Sequence, residues 1–220
     1  MNLEAVIFDC DGVLVDTEFL KFQAWQEALA SVHIDFTLED YMPLVGQRRH
    51  NILRTISAVK GVEISEEVIV KRDALYKELQ AKGVPPIQEM IEVLHWFKAE
   101  RKDVKVGLAS SAPREEILIN LRHIELENAF DVIVSGHDDL DAYEDAEGKN
   151  KPKPYIYVEA AKRLGIAPCF CCVFEDTEAG VEAAVGAGMY TIAVPNRFTK
   201  TQDFSKANQV HWPDHVTNDK

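Results

Sequence analysis

Phe8-Asp9-Cys10-Asp11-Gly12-Val13-Leu14-Val15-Asp16-Thr17 is the stretch that decides how this chain of 220 residues folds. It continues a short apolar run over residues 3–8, the pattern of a buried strand that runs out into a loop. Asp9 and Asp11 stand two residues apart, so in extended backbone both side chains project to one side and can serve a single site. Gly12 lets the chain turn sharply directly after them. In an open parallel sheet such an exit lies in the crevice where ligands bind. A bare Asp-x-Asp is also an ordinary acidic turn, so its meaning depends on the rest of the chain.

Working outward, apolar residues recur at helical spacing over 18–30, with Phe19, Phe22, Trp25 and Leu29 on one face. Helical patterns return over 49–59 and 66–81, which makes 16–83 nearly all helix. Lys82-Gly83-Val84-Pro85-Pro86 then punctuates the chain as a linker. Beyond it, helices at 88–100, 114–121, 155–164 and 178–185 alternate with strands at 104–109, 130–134, 172–174 and 190–194. Such alternation implies parallel crossover units, and apolar strands without a polar face imply a sheet covered on both sides. The expected fold is α/β: a parallel Rossmann-like sheet core formed by residues 1–16 and 85–220, with an inserted α-helical cap domain at 17–84.

Three downstream features give the acidic exit chemical company. The strand ending Gly107-Leu108-Ala109 delivers Ser110 and Ser111 just before Pro113, a residue favoured in the first turn of a helix. A hydroxyl and backbone amides at a helix start cradle phosphate, although the same serines also serve as caps. Lys151-Pro152-Lys153-Pro154 places a lysine on a stiff, extended segment ahead of another helix. Val173-Phe174 runs into Glu175-Asp176, a second acidic pair at a strand exit. Carboxylates converging from two strands suit Mg2+, which prefers hard oxygen ligands, while an acidic pair also caps the helix that follows.

Composition bounds the alternatives. With 46% hydrophobic residues the chain can bury a core. A formal charge of -13 sets a repulsive average field against nucleic acid and anionic membrane. A phosphorylated metabolite is an anion too, so its site must reverse that sign locally with a metal or a few cations. The opening MNLEAVIFDCDG has neither a basic n-region nor a long apolar run, and no later stretch reaches membrane-spanning length, so a soluble cytoplasmic protein is expected. Cys10, Cys169, Cys171 and Cys172 lack the paired spacing of a zinc site and read as reduced thiols at or near buried strands. The acidic run at 138–147 misses the glycine and glutamate of a calcium loop, since Glu144 and Asn150 stand there, and reads as a solvated loop. His211 and His215 straddle Pro213 and read as surface residues.

Taken in order, FDCDGVLVDT, LASS, KPKP and FEDTEAGVEAAVGAGM resemble the four motifs of the haloacid dehalogenase superfamily, in its phosphatase and phosphomutase branch with a helical cap. The resemblance covers nearly the whole chain. It implies that Asp9 is the nucleophile, forming an aspartyl phosphate, and that Asp11 is the general acid and then the base. It implies that Ser110 and Lys151 hold the phosphoryl oxygens, with Ser111 beside them. It implies an Mg2+ cofactor held by Asp9, the backbone carbonyl of Asp11 and Asp176, with Glu175 ligating it or orienting its waters.

The presence of Asp11 sets aside dehalogenases and phosphonate hydrolases of the superfamily, which lack that residue. A hexose-phosphate mutase of the β-phosphoglucomutase type is the nearer rival: Thr17, Trp25, Gly46, Arg49 and Arg72 resemble residues of that enzyme's cap and are candidates for substrate binding. Lys21, also a candidate, stands where such mutases carry a histidine, a departure that favours a phosphatase. The remaining alternative is a non-catalytic binding protein on the same fold; it is disfavoured because Asp9, Asp11 and Lys151 are all retained. The expected partner is a small phosphorylated substrate, a sugar phosphate, with the protein a monomer or weak homodimer.

Overall fold

The computed structural model describes residues 2–212; His215 and Pro213 lie outside them. In chain order the elements are β1 (Ala5–Phe8), α1 (Glu18–Ala30), α2 (Leu38–Tyr41), α3 (Arg49–Lys60), α4 (Glu67–Lys82), α5 (Gln88–Glu100), β2 (Lys105–Ser110), α6 (Arg114–His123), β3 (Val132–Ser135), α7 (Tyr155–Leu164), β4 (Cys171–Glu175), α8 (Glu178–Gly186), β5 (Tyr190–Ala193) and β6 (Gln209–Val210). The chain divides into two compact units. One comprises the described residues up to Asp16 and from Pro85 onward, and the other comprises Thr17–Val84.

The first unit is an α/β fold with one parallel sheet in the order β3-β2-β1-β4-β5-β6. β1 is Ala-Val-Ile-Phe, buried at every position, because it is a central strand covered on both faces. On one face Ile7 and Val173 pack with Ile156, Tyr157 and Ala160 of α7 and with Ala183 and Ala184 of α8. On the other, Phe8 stacks on Phe174 at 4.9 Å between ring centroids, and Phe97 of α5 meets Phe174 edge-on at 6.4 Å. The chain steps from β1 outward to β3, then returns to the opposite side of β1 with β4. That reversal opens the crevice at the carboxyl ends of β1 and β4.

Register carries the motif residues into it. Phe8 pairs with Phe174, which sets Asp9 beside Glu175, and Phe8 pairs with Leu108, which brings Ser110 to the neighbouring exit. β6, two exposed residues, has no apolar run to announce it.

In the second unit α1 and α4 pack together over a core that includes Trp25, Phe22, Phe36 and Tyr41. Phe19, expected on the buried face of α1, is instead 37% exposed, and Leu20, Ala24 and Ala28 share the buried face with Phe22, Trp25 and Leu29. The two linkers run side by side within the sheet unit. Asp16 N–H donates to the Pro85 carbonyl at 2.9 Å, Ile87 N–H donates to the Leu14 carbonyl at 2.9 Å, and Val15 and Pro86 form an antiparallel bridge.

Among the described residues no helix is long and apolar enough to cross a membrane. All four cysteines are free thiols; Cys10, Cys171 and Cys172 are buried and Cys169 is exposed. Burial pushes the Cys171 thiol up to about 11 and that of Cys172 up to about 12. The acidic loop departs from a solvated run at its head. Asp138 accepts from Arg114 N–H at 2.7 Å, and Asp139 accepts from Arg114 Nη2 and from Ser135 N–H at 2.5 and 2.7 Å. These aspartates brace the start of α6 against the exit of β3.

Candidate active site

Asp9 sits one residue beyond β1, where its N–H completes the sheet by donating to the Phe174 carbonyl at 3.0 Å. Its carboxylate is buried and accepts from Lys151 Nζ at 2.5 Å. The same ammonium reaches Glu175 Oε1 at 2.5 Å. Asp9, Glu175 and Asp176, all buried, bring carboxylate oxygens within 4.8 Å of one another. Residues from three separate parts of the chain thus meet where two strands end.

Glu175 is heavily held. Its Oε1 also accepts from Tyr157 Oη at 3.1 Å, and its Oε2 accepts from Thr177 N–H at 2.8 Å and Thr177 Oγ1 at 3.0 Å. Thr177 in turn caps α8, its hydroxyl accepting from Gly180 N–H at 3.1 Å. Gly180 is a glycine by necessity, because a Cβ there would fall on the Glu175 carboxyl group. Gly12 is constrained twice: its φ is +86°, and a Cβ would fall on Asp176 Oδ2.

The electrostatics follow from this crowding. Burial, reinforced by the charges of Glu175 and Asp11 and opposed by Lys151, pushes Asp9 up to about 7. Burial alone would lower Lys151, but the carboxylates of Asp9 and Glu175 outweigh it and hold the ammonium well above its usual range. One lysine does not offset the acids gathered here. Such an excess of buried, hard oxygen donors fits a small dication such as Mg2+.

Ser110 and Asp11 complete the crevice. Ser110 Oγ donates to Asp11 Oδ2 at 3.2 Å and accepts from Ala112 N–H at 3.1 Å. Ser111 is exposed beside them. Lys151 does not lie on an extended segment as its flanking prolines suggest: residues 151–154 form a turn that leads into α7. Pro154 takes helical backbone there, which bends the segment.

The remaining candidates belong to the helical unit. Thr17 heads α1, and its carbonyl accepts from Lys21 N–H at 3.0 Å. Lys21 Nζ pairs with Glu18 at 2.6 Å, and Tyr41 Oη donates to the same carboxylate at 2.8 Å. Trp25 is 1% exposed and packs as core, with the Arg72 guanidinium 5.9 Å from its ring centroid and 4.8 Å from that of Tyr76. Arg72 Nη1 pairs with Asp73 at 3.0 Å, while its Nε is buried without a hydrogen-bond partner. Arg49 pairs with the other oxygen of Asp73, and Gly46 turns with φ +83°. A groove lined by His50, Leu53, Arg54 and Ile64 also lies in this unit and includes none of the candidates.

Tyr157 and Asn196 lie outside the four motifs, and Thr177, inside the fourth, received no role from the resemblance. Asn196 follows β5, and its Nδ2 donates to Asp176 Oδ2 at 2.8 Å and to the Gly12 carbonyl at 3.3 Å. The signal that finds it is the rule that drew attention to Asp9, applied to the next strand: a polar residue just past a parallel strand end faces the crevice.

Residues 6–194 match the haloacid dehalogenase-like hydrolase family. With the motif residues gathered at the strand exits, the chain belongs to that family, as an enzyme of its phosphatase and phosphomutase branch. It is 35% identical over 195 residues to the phosphorylated carbohydrates phosphatase of Thermotoga maritima, covering 86% of this chain and 84% of that protein. It is 30% identical over 200 residues to the β-phosphoglucomutase of Bacillus subtilis, covering 87% and 83%. The crystal structure of β-phosphoglucomutase from Clostridium difficile superposes with a TM-score of 0.72 at 27% identity, covering 95% of this chain and 90% of that one.

Proposed function

We propose that this protein is a Mg2+-dependent phosphatase that hydrolyses a small phosphorylated metabolite, a sugar phosphate, through an aspartyl phosphate on Asp9. The observation that carries the reading is the buried Asp9 carboxylate held 2.5 Å from Lys151 Nζ within the Asp9, Glu175 and Asp176 cluster. The similarity to a phosphatase of phosphorylated carbohydrates supports the substrate class.

In this reading an Asp9 oxygen attacks phosphorus and the bond from phosphorus to the ester oxygen breaks. Asp11 gives its proton to the departing alkoxide, then takes one from the water that attacks the aspartyl phosphate, freeing inorganic phosphate and Asp9. Lys151 stays charged beside Asp9 and offsets the repulsion between two anions. Ser110 orients Asp11 and offers its hydroxyl to a phosphoryl oxygen. Mg2+, when held by Asp9, Asp176 and the backbone carbonyl of Asp11, supplies further charge neutralisation at the transferring group. Glu175, already accepting four hydrogen bonds, acts as the carboxylate that positions Lys151. Of the candidates in the helical unit, Lys21, Gly46 and Arg49 are the ones proposed to select the leaving group, while Thr17, Trp25 and Arg72 are buried and support that unit's core.

A β-phosphoglucomutase is the second reading, favoured by 30% identity to the Bacillus subtilis enzyme. Phosphate release from p-nitrophenyl phosphate and a panel of sugar phosphates, with Mg2+ and with a chelator, tests the first. Chelator-insensitive hydrolysis refutes the metal requirement. β-Glucose 1-phosphate supplied with a bisphosphate activator yields glucose and phosphate if the phosphatase reading holds, and glucose 6-phosphate if the mutase reading does.

A further inference from the structure

Asn196 closes a junction between three strand exits. Its Nδ2 donates at 2.8 Å to Asp176, one residue past β4, and at 3.3 Å to the carbonyl of Gly12, in the turn after β1. Its Oδ1 accepts from Phe198 N–H at 2.8 Å, and its own N–H donates to Thr199 Oγ1 at 3.0 Å. The amide orientation is therefore forced, because two acceptors face one end and a donor faces the other. The residue is 9% exposed. Gly12 packs so tightly into this corner that a Cβ would lie 2.9 Å from Asn196 Nδ2.

We infer that Asn196 is a positioning residue that fixes the Asp176 carboxylate for metal binding and locks the Gly12 turn to it; this rests on the Mg2+ reading above. The chemistry explains why an amide stands there. A neutral donor fixes the carboxylate's rotamer and leaves its charge intact, whereas a lysine or arginine would compete with the cation. An aspartate would keep the Phe198 hydrogen bond but turn an acceptor toward two acceptors. A serine in its place still accepts from Phe198 N–H in the same type of turn, yet is too short to reach Asp176.

Asn196→Ser and Asn196→Ala test this, with Arg197→Ala as the control, since Arg197 shares the turn but pairs with Asp16 at 2.9 Å. Mg2+ titration of the whole protein by calorimetry, without substrate, is expected to show at least about 10-fold weaker binding for both Asn196 variants, the usual loss when a metal ligand's orienting partner is removed. The Arg197 variant keeps the wild-type affinity. In turnover assays the Mg2+ concentration for half-activation rises by the same factor, while kcat at saturating Mg2+ returns to within about three-fold of wild type. An Asn196→Ser protein that binds Mg2+ as tightly as wild type, whatever its Tm, overturns the inference. If the wild-type protein itself binds no Mg2+, the Mg2+ reading of the site fails and the inference falls with it.

Discussion

The two units bury charge in opposite ways. In the helical unit the buried and half-buried charges meet their opposites: Glu18 pairs with Lys21 and also accepts from the Tyr41 hydroxyl, and Asp73 pairs with Arg72 and Arg49. At the ends of β1 and β4, Asp9 and Glu175 share Lys151 while Asp176 stands in the same cluster. Balanced pairs offset their own desolvation and hold helices in place. A surplus of carboxylates has no such benefit to the apo fold, because removing anions from water without matching cations costs free energy. In the proposed reading a divalent cation balances the acid cluster, whereas the helical charges are balanced within their own unit.

That contrast is broken most forcefully at Asp9. Asp9→Asn keeps the side chain's shape and removes one carboxylate from the surplus, so the protein should remain folded while phosphate release falls by about 10⁴-fold or more, the scale of losing a covalent nucleophile. A folded Asp9→Asn protein that still turns over would remove the aspartyl phosphate from the mechanism. Lys151→Met acts on the same surplus from the other side. Stripping the cation from two buried partners should cost about 3–5 kcal/mol of stability in metal-free protein, read from denaturant melts. An unchanged melting curve would mean that the acids are better solvated than their burial indicates.

The helical unit should respond far less. Arg49 and Asp73 have side chains 50% and 31% exposed, so Arg49→Ala should change stability by less than about 1 kcal/mol. A several-fold rise in KM for a sugar phosphate with kcat held would assign Arg49 to substrate binding; no change in either would leave its charge a purely structural one. A separate effect, confined to alkaline pH, concerns buried groups that carry no charge at neutral pH. Cys171 and Cys172 titrate at about 11 and about 12 in the fold against an ordinary 9.0. As pH rises the unfolded chain loses those protons first, so stability is intact below about 9 and declines through the folded values. Cys172→Ala should make that alkaline decline shallower in thermal melts recorded from pH 8 to 11.

The sheet and its acidic exits were legible because both are local signals. Apolar runs at 3–8 and 172–174 end at acidic pairs, and α5 and α7 fall at the predicted 88–100 and 155–164. What escaped depends on partners distant in sequence or on segments too short to show a period. α2 has four residues and β6 two, barely one repeat of the helical and strand patterns, too little to establish a period. Asp138 and Asp139 read as solvated because nothing nearby in sequence announces Arg114. Asn196 was silent for the same reason, since its partner Gly12 lies 184 residues away. The proline-flanked Lys151 misled in a different way. Its prolines do restrict the backbone, but Pro154 adopts helical angles and folds the segment into a turn.

The side-by-side linkers carry a last consequence. Asp16 and Pro85 are joined by a hydrogen bond, and Leu14 and Ile87 by another, so the insertion departs and returns through a single doorway already stitched shut. Sixty-eight residues, 17–84, are thus inserted at a single splice point of the sheet unit. In the proposed reading, leaving-group selectivity falls to residues 17–84 and the chemistry to the sheet unit, so the two roles lie on separable lengths of chain.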